Sequence, residues 1–425
     1  MQGEACMRCS GGQTCAVGLC LGGNPHANPG SEGGGHGNGG ALATSALWWR
    51  EGEFVLQRYL PQPQQQTSFH FHAPVVLWEA SPNGKRWAAG LATSATHYEV
   101  WHAEGDKTRL LHTGSGVLQK LAFAENSQGL AFLVASGPTQ GPLQGQLWVS
   151  LHAKESPRKL SVEACGMVDS SFHVVDFAFS PDSARLAVRA FVNEGERRAG
   201  IWLVTTAEPG TCIAVVYPGE AMEPTPGWGA LGPLQWGDNR TLYFRAHLTY
   251  DYPLQLYAFR LEGNSGSGLR NPLLSTSTHS LLSFALSPSM PLVALLQENA
   301  AFSLLPLGLP LRPSLVTGCE TSTLAAAGSM HFSPKNDWLL LVGEARLQLV
   351  HLGHRACHPG EVPAALEAVW SPDGNFLATL SRREEADGNA TWYIFLHPNN
   401  GHTLLQPTLI SMGFQHLHQL RWTSF

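Results

Sequence analysis

Residues 368–379 read Ala-Val-Trp-Ser-Pro-Asp-Gly-Asn-Phe-Leu-Ala-Thr, which is two apolar stretches joined by a polar turn. Proline presets the backbone of the first central turn position, and aspartate and glycine tolerate the tight second half. The same arrangement recurs at Phe177–Val188 with Ser-Pro-Asp-Ser as its turn. Weaker copies keep the Ser-Pro pair at 77–84, 284–288 and 330–334, and two more keep only the strands at 121–132 and 234–244. The chain is therefore built from a repeated strand–turn–strand unit.

The copies are evenly spaced along the chain. Six intervals separate Ser81 from Ser371, so the period averages about 48 residues. Each unit has room for two more strands, which in the third unit read as Ile201–Val204 and Cys212–Val216. A period of roughly 40 to 50 residues with four strands per unit is typical of a β-propeller blade.

These units resemble the WD40-like repeats of the TolB-type propeller family, often called PD40, with Ser-Pro-Asp-Gly after the innermost strand. The resemblance covers roughly residues 75–425 and is strongest in the third, sixth and seventh copies. It implies an all-β fold, a single β-propeller whose four-stranded blades stand around a central channel.

The two ends of the repeated region complement each other. Leu417–Phe425 reads as an innermost strand without a successor, whereas 46–49 and 54–60 read as outer strands without an inner one. Pairing them would complete one composite blade and hide a sheet edge that otherwise invites aggregation. Seven internal copies and the composite blade predict eight blades, and seven remain possible if one weak copy is irregular.

A cysteine-rich head precedes the repeats. Its four cysteines cannot form a hydrophobic core and point to cross-links or a metal: Cys6, Cys9, Cys15 and Cys20. We expect two disulfides of unspecified connectivity, with zinc or free thiols as the alternatives. The head resembles the small Cys-rich heads that follow the signal in bacterial surface lipoproteins. Since the stretch after it is rich in Gly and Pro, we expect three regions: a head at 1–20, a flexible linker at 21–41 and the propeller at 42–425.

Four further cysteines lie within the repeats. We predict the disulfides Cys165–Cys212 and Cys319–Cys357, each joining late strands or edge loops that lie close in the ring; four buried thiols are the alternative. The even total of eight cysteines and the Cys-dense head favour oxidation, and hence the periplasm, outer surface or exterior of the cell. No apolar run reaches the roughly 18 residues of a membrane span. Met1-Gln-Gly-Glu also lacks the basic start and apolar core of a signal peptide, so a signal peptide or lipid anchor for export would lie upstream of Met1.

Composition and motifs exclude several classes of function. The net charge is −6 and Lys and Arg form no basic run, so no nucleic-acid partner is expected. No Gly-x-Ser-x-Gly motif and no phosphate-binding Gly-rich loop occurs between a strand and a helix, so we expect no catalytic residue and no cofactor. The sequence favours a monomeric, non-catalytic binding or scaffold protein that holds a protein or glycan at a propeller face or channel mouth.

Histidine supports one alternative, with 19 copies in the chain. His70 and His72, and likewise His416 and His418, are spaced His-x-His just before an innermost strand, which puts both rings on one face. Metal held by these four at the channel mouth would indicate a metal-dependent propeller lyase or hydrolase. Polar side chains facing water at the mouth are the simpler interpretation, so we assign no metal site.

Overall fold

The protein is described by a computed structural model. The structure describes residues 14–16, 19–21, 45–51, 53–61, 64–105, 107–136, 144–152, 155–160, 165, 172–194, 196–207, 211–217, 231–247, 254–262, 267–273, 279–299, 301–307, 313–317, 319, 329–342, 347–358, 365–384, 390–399, 404, 407–413 and 417–424. Within these ranges every regular element is a β-strand. No helix among them is long and apolar enough to cross a bilayer.

The strands before the repeats form a small hairpin and the outer part of one blade. The hairpin consists of β1 (Thr14–Ala16) and β2 (Leu19–Leu21). The next three strands are β3 (Ser45–Glu51), β4 (Val55–Pro61) and β5 (Gln64–His70).

Seven blades follow in chain order, each an antiparallel sheet that runs from its innermost to its outermost strand. Blade 1 contains β6 (Val75–Ala80), β7 (Arg86–Ser94), β8 (His97–Glu104) and β9 (Lys107–Ser115). Blade 2 contains β10 (Val117–Phe123), β11 (Leu130–Ser136), β12 (Gln144–Ser150) and β13 (Arg158–Lys159). Blade 3 contains β14 (Phe172–Phe179), β15 (Arg185–Glu194), β16 (Glu196–Thr205) and β17 (Cys212–Val216). Blade 4 contains β18 (Leu231–Trp236), β19 (Thr241–Ala246), β20 (Gln255–Glu262) and β21 (Ser267–Pro272).

The remaining blades complete the ring. Blade 5 contains β22 (Leu281–Leu286), β23 (Leu292–Gln297), β24 (Phe302–Pro306) and β25 (Ser314–Leu315). Blade 6 contains β26 (Ser329–Phe332), β27 (Trp338–Val342), β28 (Leu347–His351) and β29 (Ala356–His358). Blade 7 contains β30 (Glu367–Trp370), β31 (Phe376–Glu384), β32 (Ala390–Pro398) and β33 (Thr408–Gly413).

The last strand, β34 (Leu417–Ser424), is the innermost strand of blade 8 and pairs with β3. The register places Leu47 opposite Trp422 and Ser45 opposite Ser424. The predicted composite blade is thus confirmed, and with it the count of eight four-stranded blades. Strands from opposite ends of the sequence close the ring.

Apolar side chains pack between the blades. The described residues form eight buried clusters, and each cluster fills the interface of two neighbouring blades. Trp48 and Trp78, for example, pack across the interface of blades 8 and 1 with ring centroids 6.3 Å apart. Burial on both sheet faces explains why many strands read as continuous apolar runs rather than as alternating ones.

The turn signature has a structural basis in its serine. Ser371 is fully buried, and its hydroxyl donates to Asp373 Oδ1 at 2.6 Å and accepts from the Phe376 N–H at 2.9 Å. The fourth turn position takes a left-handed backbone, with φ 66° at Gly374. The buried hydroxyl and the positive φ therefore account for the Ser and Gly of the repeat.

The meander of each blade defines two faces of the ring. We call the rim where the innermost strands begin the upper face, and the rim that carries the Ser-Pro turns the lower face. Turns between second and third strands also lie on the upper face: the Val75 N–H donates to the Glu53 carbonyl at 2.6 Å. Because β3 begins beside the end of β34, the chain enters the propeller at the lower face.

Both predicted disulfides of the ring are present. They join Cys165 to Cys212 and Cys319 to Cys357, with Cα atoms 5.0 Å apart in each pair. Each one ties the connection that leaves one blade to the outermost strand of the next blade, β17 or β29. In the head, Cys15 lies opposite Cys20 in the register of β1 and β2, while Cys6 and Cys9 lie outside the described residues. The head disulfides stay a prediction.

Candidate functional site

Polar side chains from the innermost strands form a belt around the channel. Each lies two or four residues before the turn of its blade, and so shares a sheet face with the others. We call this set the channel belt: Glu79, Lys120, Asp176, Gln235, Glu367 and Arg421.

Arg421 connects three blades within the belt. Its Nε lies 3.5 Å from Glu79 Oε2 in blade 1, and its Nη1 lies 3.4 Å from Glu367 Oε1 in blade 7. About a third of the arginine side chain and a quarter of each carboxylate side chain stay accessible, at 37%, 25% and 27%. The closing strand is therefore held on both sides by charge-assisted contacts in a partly dehydrated channel.

Lys120 and Asp176 connect blades 2 and 3 in the same way. The Lys120 ammonium donates to Asp176 Oδ1 and to the Phe177 carbonyl, both at 2.7 Å. It also lies 4.9 Å from the centroid of the Phe177 ring, within the range of a cation–π interaction. The lysine is thus directed along the channel wall by three groups of the next blade.

Gln235 connects blades 4 and 5 without charge. Its Nε2 donates to the Phe284 carbonyl at 3.2 Å, and its Oε1 accepts from the Leu286 N–H at 3.1 Å. The amide thus continues the hydrogen bonding of one innermost strand to its neighbour. The belt links blades 7, 8 and 1, blades 2 and 3, and blades 4 and 5.

Burial governs the electrostatics of the belt. Part of the Glu79 side chain stays accessible from the channel, but protein surrounds its carboxylate. This burial raises the pKa of Glu79, while Arg421 and Lys120 act to lower it. His331 on β26 is exposed to the channel, but the surrounding protein still desolvates its ring and lowers its pKa, and the charge of Arg421 lowers it further. The channel interior accordingly disfavours additional charge.

Four exposed apolar side chains lie on the upper face, one on each of four consecutive blades. Leu366 (45% exposed) precedes β30 in blade 7, and Phe54 (45%) lies in the β3–β4 turn of blade 8. Val76 (38%) and Val117 (48%) lie at the starts of the innermost strands of blades 1 and 2. Val76 is the extra residue of a bulge, since Val75 pairs with Leu91 and Leu77 with Gly90. We call these four residues the mouth arc.

The predicted histidine candidates are placed as follows. His70 ends β5, and His72 contacts Glu99 with Nε2 3.2 Å from Oε2. Trp101 Nε1 donates to the same carboxylate oxygen at 2.7 Å, so Glu99 orients both rings. His416 and the side chain of His418 lie outside the described part of the chain. The backbone of His418, in β34, pairs with that of Arg50 in β3. Over the described part of the chain, no three His, Cys, Asp or Glu side chains are arranged to hold a metal.

The channel belt was not anticipated from sequence. Its signal is a charged or amide residue at one of the two positions that lie two and four before the turn, while the other position is usually small or apolar, as at Ala122 and Ala178. A single charged residue in an apolar strand reads equally well as a solvated one. Only the ring arrangement shows that Lys120 and Asp176 meet.

Solved structures with the same architecture share little sequence with this chain. AztD from Citrobacter koseri aligns with a TM-score of 0.58 at 10% identity, over 90% of this chain and 99% of its own. The dihydro-heme d1 dehydrogenase NirN in complex with DHE aligns with a TM-score of 0.59 at 11% identity, over 88% and 74%. A eukaryotic initiation factor aligns with a TM-score of 0.51 at 13% identity, over 90% and 98%.

The chain is an eight-bladed β-propeller. No protein-family description matches its sequence, and no curated protein does. Membership of the TolB-type family and the lipoprotein-like head stay predictions. Because these propellers include an enzyme, the fold by itself assigns no function.

Proposed function

We propose that this propeller is a non-catalytic binding protein outside the cytoplasm that holds a ligand at the upper mouth of its channel. The mouth arc carries the proposal. Clustered exposed apolar side chains on one face of a protein mark interaction sites, whereas isolated ones need no explanation. Leu366, Phe54, Val76 and Val117 belong to four consecutive blades and lie on the same face.

A protein ligand fits this surface better than a glycan. Three of the four mouth-arc side chains are aliphatic, and only Phe54 could offer an aromatic face. Aliphatic contacts surrounded by polar groups are typical of protein–protein interfaces. The ion pairs of Arg421 in the channel belt hold three of these four blades, 7, 8 and 1, in a fixed arrangement, which reduces the entropy lost on binding.

The position of the linker supports the same face. Ser45, where the described propeller begins, lies at the lower face beside Ser424. A head and linker attached there leave the upper face open to a ligand. If the head anchors the protein, the mouth arc is directed away from the anchor.

The two ring disulfides support an oxidising compartment. Disulfides form and persist in secreted and periplasmic proteins and are rare in the cytosol. Both bonds lie at equivalent places, between one blade and the outer strand of the next. We therefore place the protein in the periplasm, on the outer surface or in the medium.

A capture experiment with matched variants tests the proposal. The immobilised propeller is exposed to the exported proteins and, separately, to the surface glycans of its source. The mouth variant is Phe54→Ser, Val76→Ser, Val117→Ser and Leu366→Ser combined. The control changes two exposed apolar residues away from the mouth, Met290→Ser and Leu315→Ser, which are 37% and 68% exposed.

The expected result is a protein retained by the wild type and the control and lost from the mouth variant, with unfolding temperatures unchanged. Retention by the mouth variant at the wild-type level would move the site elsewhere. If the wild type retains only glycans and the mouth variant loses them, the ligand is a glycan bound at the same site.

A further inference from the structure

The outer edges of the blades differ in how they are protected. Every blade ends in an outermost strand with one row of backbone N–H and C=O groups facing away from its sheet. Such edges can pair with a strand of another chain, and soluble proteins usually shorten, charge or cover them.

Six of the eight edges carry a recognisable protection. β13 and β25 have two residues each. β9 carries Lys107 and Arg109, and β21 contains Arg270 and Pro272. β5 is not among the six, since it has no Lys, Arg, Asp, Glu or Pro, but it is built mainly from polar side chains. β17 and β29 are tied by the disulfides to the preceding connection, which in blade 6 also pairs Thr317 with Ala356.

The edge of blade 7 has none of these features, although β33 contains a bulge at Ile410, which also interrupts an edge. β33 reads Thr-Leu-Ile-Ser-Met-Gly over six residues, with no charge and no proline. Within the described part of the chain, no strand pairs with its outer side. Leu409 and Met412 on this strand are 43% and 56% exposed.

A bulge places both exposed side chains on one face of the sheet. Leu409 pairs with Phe395 and Met412 with Tyr393, while Ile410 is the extra residue. Phe395 and Tyr393 share a face of β32 and stack at 6.0 Å between ring centroids. Blade 6 lies on this side, and its outermost strand has only three residues. The outer half of blade 7 therefore presents an apolar face that continues to an open edge.

We propose that two copies of this chain pair antiparallel through β33. A twofold axis between Ile410 and Ser411 would place Leu409 beside Met412 of the second copy. Directly opposite residues in antiparallel strands lie on the same sheet face, so the two apolar faces become one. The strand is self-complementary in this register, as a twofold interface requires, and it carries no charge to repel its copy.

This pairing revises the monomer that the sequence favours and is independent of the ligand at the mouth. The interface lies at the outer rim of blade 7, and its backbone hydrogen bonds need no change in the ring. Since only one short strand and four side chains contribute, the dimer is weak and forms as concentration rises.

Sedimentation of the full chain tests the pairing over about 1 µM to about 500 µM, a range that spans weak protein affinities. We expect the wild type to pass from the mass of one chain to that of two. The variant Leu409→Lys with Met412→Lys, which adds edge charges, stays monomeric at every concentration. The matched control Leu110→Lys alters an outer strand that already carries charge and dimerises like the wild type.

Hydrogen exchange of the unchanged chain gives a second measurement that no folding defect can obscure. The amides of 408–413 exchange more slowly at high concentration, while those of the other outermost strands do not change. A wild type that stays monomeric throughout the range overturns the pairing. A charged variant that is folded and dimerises as well as the wild type also overturns it.

Discussion

Arg421 and Glu79 join the two ends of the ring, with Nε and Oε2 3.5 Å apart. The arginine belongs to the last strand of the chain, and the glutamate to the innermost strand of the first complete blade. Because the same guanidinium also contacts Glu367 of blade 7, one cation connects the composite blade to both neighbours. Arg421 therefore adds side-chain contacts to the backbone pairing by which β34 closes the ring.

The two partners are expected to differ in their effect on stability. Arg421→Met leaves two carboxylates facing each other in the channel and lowers the free energy of unfolding by about 1–3 kcal/mol. Burial raises the pKa of Glu79 and so disfavours its charged form, and Glu79→Gln also leaves Arg421 paired with Glu367, so this change lowers stability less than Arg421→Met does. Urea unfolding followed by tryptophan fluorescence measures both. Arg382→Met, which removes an exposed pair with Glu384, is the control; equal losses for Arg421 and Arg382 would contradict the account.

The ring disulfides are expected to stabilise the propeller by restricting its unfolded chain. They close loops with sequence separations of 47 and 38 residues, which in the chain-entropy model corresponds to about 4 kcal/mol each. Cys165→Ser with Cys212→Ser, and separately Cys319→Ser with Cys357→Ser, should lower the urea midpoint by similar amounts. Wild-type protein in reductant serves as the comparison. A midpoint that neither pair changes would show that the bonds do not form.

Two buried histidines make stability depend on pH. Burial lowers the pKa of His397 from 6.5 to about 4, and burial with the nearby Arg109 and Arg86 lowers the pKa of His102 to about 4. Between the ordinary pKa of 6.5 and the folded-state pKa of about 4, these histidines bind more protons in the unfolded chain than in the folded one. Their contribution to stability is therefore full above about pH 6.5 and falls as the pH drops toward 4. The loss reaches about 3 kcal/mol for each histidine.

The variant His397→Gln isolates one of these contributions. Glutamine can keep the hydrogen bond that His397 Nε2 makes with Thr379 Oγ1 at 3.0 Å, but it does not titrate. Stability measured between pH 4 and pH 7 should then fall by about half as much as in the wild type. A profile that His397→Gln does not flatten would show that this histidine is protonated in the folded state.

On the lower face, a hydrogen bond joins the turns of blades 1 and 2. Ser127 has a positive φ of 59°, and its hydroxyl accepts from the Asn83 N–H of the neighbouring blade at 3.1 Å. Ser127→Ala removes the acceptor and keeps the strained backbone, at a cost of about 1–2 kcal/mol. Ser127→Gly also loses the acceptor but relieves about 1 kcal/mol of strain, so it is milder than alanine. Unfolding temperatures measure the order, and a higher value for Ser127→Ala than for Ser127→Gly would refute it.

The fold follows from the sequence wherever a residue type has one structural use. The Ser-Pro-Asp-Gly turn at 371–374 combines a buried hydroxyl with a left-handed position, and the Ser-Pro pair that recurs in five copies locates the innermost strands of those blades. The unmatched strands at both ends require a partner, and they find each other. The ring disulfides follow from four cysteines at the edges of neighbouring units.

The site follows much less well, because it depends on neighbours that the sequence does not specify. Val76 reads as a core residue of an apolar strand, and only the bulge turns it outward. Asp176 gives no sign that its partner is Lys120, which lies one blade earlier. The His-x-His spacing puts His70 and His72 on one sheet face, but it gives no sign of the contact that His72 makes with Glu99 on another strand.

Binding at the upper mouth is tested by hydrogen exchange of the propeller alone and in complex with the protein it retains. We expect slower exchange at the upper mouth, in the segments around Phe54, Val76, Val117 and Leu366, with the lower turns unchanged. Protection confined to the lower turns or to the outermost strands would contradict binding at the mouth.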